Sequence, residues 1–407
     1  MKSIFEATDI YSAVWPLHFV SRILGLATYS LKPHIQSAKY ETFSTYLYRI
    51  WSIFWITLLV VSEYIHTTRS IDASETLKQK ATDTLRNSSL YSYSIVTVLL
   101  SLTVNRGKVP EILGKFAEID QLFSSKLYRI QIYKNTKLFL SFQFSIMTTV
   151  IIIILASIIF FTHGNFGYSD IYIIFTQTLS LFLNCTSILY FVNLVLLLRN
   201  KYKYLNSVLE SSAITPCNIT NLKYRNSNFV TPIDTFRMKL SLAELRDNSM
   251  LSRRQHVRNL RIIYSKLQDV AVLINSTYGF SLLCAIIWVF ISIISGANNA
   301  LQLNGANHIY VIEAVLWIFF SVGLMTVMTV SCSLAVNECN RSHVIVQKIM
   351  LRDDIDNEVI KQLKKMFTQF EFMKIGFSAC GLYKIDLSFL CGIIGATLSY
   401  VIIFSAL

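Results

Sequence analysis

Long stretches without lysine or arginine alternate with basic ones along this chain. Residues 50–68 and 87–105 form two such stretches, and 385–407 forms the last. Residues 138–198 are long enough for two crossings with a turn at "HGNFGYSD", and 267–340 for two more, broken at "SGANNALQLNGANH". A helix needs about 20 apolar residues to cross roughly 30 Å of hydrocarbon. The pattern therefore predicts an all-α integral membrane protein with seven spans, near 50–68, 87–105, 138–162, 170–198, 272–296, 308–336 and 385–407.

The segments between spans carry their own periodicity. "VWPLHFVSRILGLATYSLK" is amphipathic but too short and charged to span, so it is expected to lie against the inner membrane face. "EILGKFAEIDQLFSSKLYRIQIYK" has helical spacing with mixed charge and predicts a cytoplasmic helix. The segment 199–266 reads as helical at both ends around a middle rich in Asn, Ser, Thr and Pro. In "IDNEVIKQLKKMFTQFEFM", Ile355, Val359, Leu363, Met366 and Phe370 share one face. That face suits packing on other cytoplasmic helices, of this chain or of neighbouring subunits, and equally a lone helix on the membrane surface. The expected organisation is thus a bundle of six spans over 1–340, anchor helices over 341–384, and a seventh span over 385–407.

Composition agrees: 53% of the 407 residues are hydrophobic and only 15% charged, with a mean hydropathy of +0.48. A soluble domain of this length needs more charge to cover its surface. The N-terminus does not resemble a cleaved signal peptide, because Glu6 and Asp9 interrupt any apolar core. The spans themselves are expected to carry the targeting information.

Charge orients the bundle. With the N-terminus inside, 33 of the 37 Lys and Arg residues fall on cytoplasmic segments and 4 outside. Cytoplasmic flanks collect basic residues, so the N-terminus is expected inside and the C-terminus outside. This is the reverse of G-protein-coupled receptors, and neither Asp-Arg-Tyr after the third span nor Asn-Pro-x-x-Tyr in the seventh is present. The net charge of +13 is read as topogenic and lipid-directed rather than as a nucleic-acid footprint, because no nucleic-acid-binding motif accompanies it. All five prolines and the sequon at Asn87 lie at or beyond span edges, and glycosylation so near the membrane is not expected.

Catalytic and metal signatures do not occur: there is no His-Glu-x-x-His, no Walker loop and no Cys-x-x-Cys. No enzyme activity or cofactor is expected. The seven cysteines map to spans or cytoplasmic segments and read as reduced, small hydrophobes. The informative charge is Glu313, a carboxylate inside an apolar span. It shares a helical stripe with Tyr310, Trp317 and Phe320, a grouping suited to a small polar or cationic ligand. Tyr172, Phe175 and Thr176 on the fourth span, Trp288 on the fifth, and Phe161 and His163 at the third-span exit complete a candidate outer pocket. Interfacial aromatics also form the ordinary membrane belt, and spacing alone does not separate the two roles.

The last span offers a second candidate. Gly392, Gly395, Ala396 and Ser399 form a small-residue face continued by Ile402, Ile403 and Ala406. Such a face either packs within one bundle or, repeated around an oligomer, lines a narrow apolar pore.

Three stretches resemble the insect gustatory receptor family: "PLHFVSRILGL", "VLWIFFSVGLMTVMTVSCSLAVNECNRSH" and "FSACGLYKIDLSFLCGIIGATLSY". The last is similar to the fructose-sensing and related branches. The resemblance implies a homotetrameric, tastant-gated, non-selective cation channel in the plasma membrane of taste neurons, with cytoplasmic anchor helices and a pore lined by the final span. It implies a small-molecule tastant as partner, sugar or bitter plant compound, with membrane lipid and gustatory co-receptors. Trp317 matches a tryptophan of the fructose-type sugar pocket, but the glutamine expected three residues earlier is Ala314. In the closing signature, Ser399-Tyr400 matches Thr-Tyr, whereas Ala406-Leu407 replaces the Gln-Phe pair of the gate. The rival classes are a metabotropic seven-span receptor and a small-molecule transporter, and an insect odorant receptor shares the same physics.

Overall fold

The computed structural model describes residues 9–29, 31, 41–72, 77–123, 126–161, 168–214, 250–302, 308–352, 357–372 and 374–406. In chain order the helices are α1 (Ile10–Ile23), α2 (Glu41–Asp72), α3 (Leu77–Leu102), α4 (Asn105–Leu122) and α5 (Lys126–Phe161). They continue as α6 (Tyr168–Ile214), α7 (Met250–Gln302), α8 (His308–Met350) and α9 (Asn357–Phe372). A small antiparallel hairpin, β1 (Ser378–Ala379) and β2 (Tyr383–Lys384), precedes α10 (Leu387–Ala406).

Seven of these helices carry the seven predicted spans. Five contain stretches long and apolar enough to cross a membrane on composition alone, in α2, α5, α6, α7 and α8, and α10 adds a shorter apolar run. The predicted second span lies on α3, whose first turns are polar. Its second half is apolar-aromatic and α3 packs on α2, with Leu90, Tyr91, Tyr93 and Val98 buried.

Three expectations change. The amphipathic opening segment does not simply rest on a membrane: α1 ends at Ile23 and buries Ile10, Val14, Leu17 and His18 while packing on α4 and α5. The single helix expected across 111–134 is two, because Phe123 is extended (φ −84, ψ 122) and ends α4. "FSACGLYKID" is not part of a helix but the hairpin, whose turn places Cys380 and Gly381 at positive φ.

By compactness the chain divides into two units that cut through α6, α7 and α8 instead of falling at loops. One comprises residues 1–195, 273–333 and 376–407, the other 196–272 and 334–375. In the first, Leu24, Leu59, Tyr91, Val98 and Leu183 form a core cluster. A tight joint follows α1. Gly25 adopts φ +73, and a Cβ there would sit 2.7 Å from Trp55 Cδ1. The joint is held by Ser52 Oγ donating to the Gly25 carbonyl at 2.8 Å, and by the Trp51 and Trp55 indole N–H groups both donating to the Ile23 carbonyl.

The second unit is knit by aromatic edges and one polar cluster. Tyr264 packs edge-on to Tyr202 and Phe370, and His343 lies 4.6 Å from the Phe367 ring. Asn206 Nδ2 donates to the Glu338 carbonyl at 2.8 Å, and Ser342 Oγ donates to Asn206 Oδ1 at 2.6 Å. Arg341 bridges Glu210 and Glu338. α9 buries Val359, Leu363, Met366 and Phe370, so the predicted face is a packing face, with Lys361, Lys364 and Lys365 exposed. Ile355 lies outside the described residues.

Candidate ligand-binding and pore-lining sites

A polar stripe runs down α6 at four-residue spacing: Tyr172, Thr176, Ser180 and Asn184. Such spacing stacks side chains on one helical face, and here that face meets α2 and α3. Ser62 Oγ donates to its own helix at Leu58, leaving the Tyr172 hydroxyl to donate to it at 2.9 Å. Thr176 Oγ1 likewise turns back to the Tyr172 carbonyl and accepts from the Tyr91 hydroxyl at 3.1 Å. Ser94 Oγ donates to Asn184 Oδ1 at 3.0 Å, and Asn184 Nδ2 donates to the Leu90 carbonyl. Asn87 closes the network, donating to His66 Nε2 at 2.9 Å and accepting from Gln177 Nε2 at 3.3 Å. Asn87 is only 5% exposed, so this sequon is occupied by internal hydrogen bonds, in keeping with the expectation that it carries no glycan.

Next to this network the predicted aromatic stripe on α8 is partly assembled. Trp317 and Phe320 meet edge-to-face at 6.0 Å, and the Arg86 guanidinium lies 5.9 Å from the Trp317 ring while pairing with Asp83. α7 and α8 approach closely at Gly296, where a Cβ would stand 2.9 Å from Ile318 Cγ1. That glycine admits α8 to the bundle at the turn carrying Ala314 and Trp317. On the same stretch of α7, Ser295 Oγ and Asn298 Nδ2 donate to Thr82 of α3.

The other predicted pocket residues separate. Tyr172 and Thr176 belong to the network, whereas Phe175 is 58% exposed and faces away from the bundle. Trp288 is 1% exposed and stacks on Tyr93 at 5.6 Å, a core position. His163 and the side chains of Phe161, Tyr310 and Glu313 lie outside the described residues. Sequence reasoning overlooked Ser62, His66, Asn87, Tyr91 and Gln177. The four-residue polar repeat on α6 marks one wall of the network, but no local pattern in the sequence points to these five partners.

A cavity of about 20 Å³ lies between the lower parts of α3 and α6, lined among others by Ser21, Tyr29, Asn105, Tyr190 and Tyr278. The Tyr29 hydroxyl donates to Tyr190 at 2.8 Å, while Ser21 Oγ and Asn105 Oδ1 have no hydrogen-bond partner among the described residues. Its size and polarity suit one or two water molecules.

α10 shows the opposite character. Gly392, Gly395, Ala396, Ser399, Ile402 and Ile403 are all exposed, while Thr397 is buried. Ser399 Oγ donates to the Gly395 carbonyl, which satisfies the hydroxyl within the helix. Tyr400 meets Phe290 of α7 edge-on at 6.0 Å. The side chain of Ala406, and Leu407 entirely, lie outside the described residues.

The start of α10 is fixed to α7 through the hairpin. Asn275 Oδ1 accepts from the Ser378 backbone N–H at 2.8 Å, and Gly279 leaves room for the backbone at Cys380. Asp386 then caps α10: it accepts from the Phe389 backbone N–H at 3.0 Å, with Lys384 at 3.3 Å. Among the described residues no group of His, Cys, Asp and Glu is arranged to hold a metal ion, and the described cysteines are all free thiols.

Comparison with known proteins covers nearly the whole chain. The profile of the family described as 7tm chemosensory receptor matches residues 15–404. The solved insect olfactory receptor OR5 from Machilis hrabei superposes with a TM-score of 0.71 at 14% identity, covering 96% of each chain. Its complex with eugenol gives the same TM-score at 12% identity, covering 96% of this chain and 97% of that one. At such identities the likeness is one of fold. No curated protein sequence matches the chain significantly.

Proposed function

Because the chain belongs to the 7tm chemosensory receptor family and is a multi-pass membrane protein, we propose that it is a gustatory receptor. In this reading it is a tastant-gated, non-selective cation channel in the plasma membrane of chemosensory neurons. The N-terminus is cytoplasmic, the C-terminus extracellular, and four copies surround a pore lined by α10. The observation that carries the channel reading is α10 itself. It is a charge-free helix whose small-residue face and flanking Ile402 and Ile403 are left uncovered by the rest of the chain. Exposed glycines and a self-satisfied serine give close helix approach without unpaired polar groups, which suits a shared apolar wall that gates by dewetting.

The ligand enters between the α6 stripe and the Trp317–Phe320 pair. Trp317 and Phe320 offer ring faces, and Tyr172, Thr176, Asn87 and Gln177 offer exchangeable hydrogen bonds. In sequence, Glu313 and Tyr310 fall on the same helical repeat as Trp317. Such a site takes a small molecule with both an apolar body and hydroxyl groups, a description that covers sugars and bitter plant compounds. The related olfactory receptor OR5 is solved with eugenol bound, which supports a small organic ligand in this fold. The ligand opens the pore only to the extent that it prefers the open conformation, each tenfold preference contributing about 1.4 kcal/mol per site. Asn275, Gly279 and the hairpin give α7 a direct hold on the start of α10, a route by which a shift of α7 moves the pore wall.

Patch-clamp recording of cells expressing this chain alone, challenged with sugars and bitter plant compounds, tests the proposal. A ligand-evoked cation current in excised patches without nucleotide or G protein is expected. Silence across the panel with surface expression confirmed, persisting when gustatory co-receptors are added, points instead to a metabotropic receptor or a transporter. Trp317→Ala is expected to shift ligand potency with surface expression unchanged; unchanged potency places the ligand elsewhere. A C-terminal epitope should label on intact cells, and labelling only after permeabilisation reverses the orientation.

A further inference from the structure

The corner where α1 meets α2 carries surface chemistry that the receptor reading does not use. The apolar stretch of α2 begins at Tyr46, so Tyr46–Trp51 form its first turns at one edge of the hydrocarbon. The end of α1 is pinned to that edge, because the Ile23 carbonyl accepts from both the Trp51 and Trp55 indoles. From this joint α1 presents Trp15, Phe19 and Ile23 outward at four-residue spacing, each about half exposed, with Trp15 and Phe19 stacked. Trp51 and Phe54, also stacked, continue the apolar surface on α2. Two arginines border it: the Arg22 guanidinium lies 4.2 Å from the Tyr48 ring centroid, and Arg49 lies 5.2 Å from that of Tyr46. Among the described residues, neither has a carboxylate partner within ion-pair distance.

The geometry points to a binding site for an anionic phospholipid at this corner, with the headgroup phosphate held by Arg22 and Arg49 and the acyl chains laid over Trp15, Phe19, Trp51 and Phe54. Each guanidinium carbon lies over a tyrosine ring with no carboxylate paired to it among the described residues, and a planar guanidinium suits a phosphate better than a lysine ammonium does. Indole and tyrosine rings with basic side chains beside them match the headgroup boundary, where one end of each ring is apolar and the other wet. A phosphate also balances the only charges at this joint that the described residues do not neutralise. An oxygen anion in free solution lacks the apolar half of the site, so the occupant is the lipid.

The test uses the full chain purified in mild detergent, with phosphatidylglycerol and phosphatidylcholine offered in equal amounts and retained lipid counted by native mass spectrometry. Preferential retention of phosphatidylglycerol is expected, lowered about fivefold in Arg22→Gln and again about fivefold in Arg49→Gln, in line with one surface arginine's pull on anionic lipid. Arg49 stacks only on an exposed ring, so its variant keeps the site testable should Arg22→Gln unfold. Lys364→Gln on the exposed face of α9, in the other compact unit, should retain lipid as the parent does. Undiminished retention in the double variant, an equal loss in Lys364→Gln, or displacement of the lipid by inorganic phosphate at matched concentration would each overturn the assignment.

Discussion

α5 and α6 are nearly equal in apolarity yet lead different lives. Their membrane stretches have mean hydropathies of 2.3 and 2.1, but the α5 stretch is 22% buried and the α6 stretch 89%. The difference lies in how each treats its polar side chains. On α5, Ser141, Thr148 and Thr149 are exposed, and each turns its hydroxyl back to the carbonyl four residues earlier. That habit satisfies a hydroxyl in lipid without a partner helix. On α6, Thr176, Asn184 and Asn193 reach across to Tyr91, Ser94 and Gln143. An amide has more donors and acceptors than its own helix can satisfy, so asparagine in an apolar span marks a face buried in protein. Hydropathy tells that a helix crosses; the kind of polar residue it carries tells what it crosses beside.

The contrast can be broken most sharply on the helix that α6 helps enclose. Trp288→Ala removes a fully buried indole stacked on Tyr93 and should cost about 3–5 kcal/mol. It should be seen as lost monodisperse protein in fluorescence-detected chromatography; intact folding with altered ligand potency would make Trp288 a pocket residue instead. α1 repeats the contrast between its own two faces. His18 is buried with neither ring nitrogen hydrogen-bonded, beside the Tyr29 ring and the Arg22 charge. Burial first, and Arg22 second, lower its pKa from 6.5 to about 3. Between those values the unfolded chain takes up a proton that the folded chain refuses, so stability falls as pH falls, by about 1.4 kcal/mol per pH unit. The apparent melting temperature of His18→Leu should show a flatter acid limb than the parent, and an identical limb would place the proton uptake elsewhere.

Smaller effects sharpen the α5–α6 distinction directly. Asn184→Ala leaves the Leu90 carbonyl and Ser94 with fewer partners and should cost about 1 kcal/mol in thermal unfolding, the usual worth of an interhelical hydrogen bond. Ile152→Ala on the exposed face of α5 should change stability by less than about 0.5 kcal/mol, because lipid replaces the lost contact. If the two substitutions rank the other way, the assignment of α5 to the lipid face is wrong.

Much of the architecture was legible because its causes are one-dimensional. Apolar length free of Lys and Arg marks spans, and the alternating four- and three-residue spacing of Val359, Leu363, Met366 and Phe370 marks the packing face of α9. The candidate site was legible only in part. Trp317 and Phe320 do meet, but Phe175 and Trp288 diverge to opposite surroundings, because two aromatic residues on apolar helices look alike until the helices are rotated into place. Asn87, His66 and Gln177 lie on three different helices, 21 and 90 residues apart along the chain, and no local pattern joins them.

By itself, then, the sequence determined that this chain crosses a membrane repeatedly, where its long apolar stretches lie, where its basic residues collect and that residues 387–407 carry no charge. These follow from length, apolarity and charge, which each segment carries alone. Only the tertiary structure decided which spans are enclosed and which stay exposed, that the opening helix is pinned to α2 through the Ile23 carbonyl, and that a hairpin held by Asn275 ties α7 to α10. Those depend on hydrogen bonds and close contacts between residues far apart in the chain, and such pairings exist only once the helices have packed.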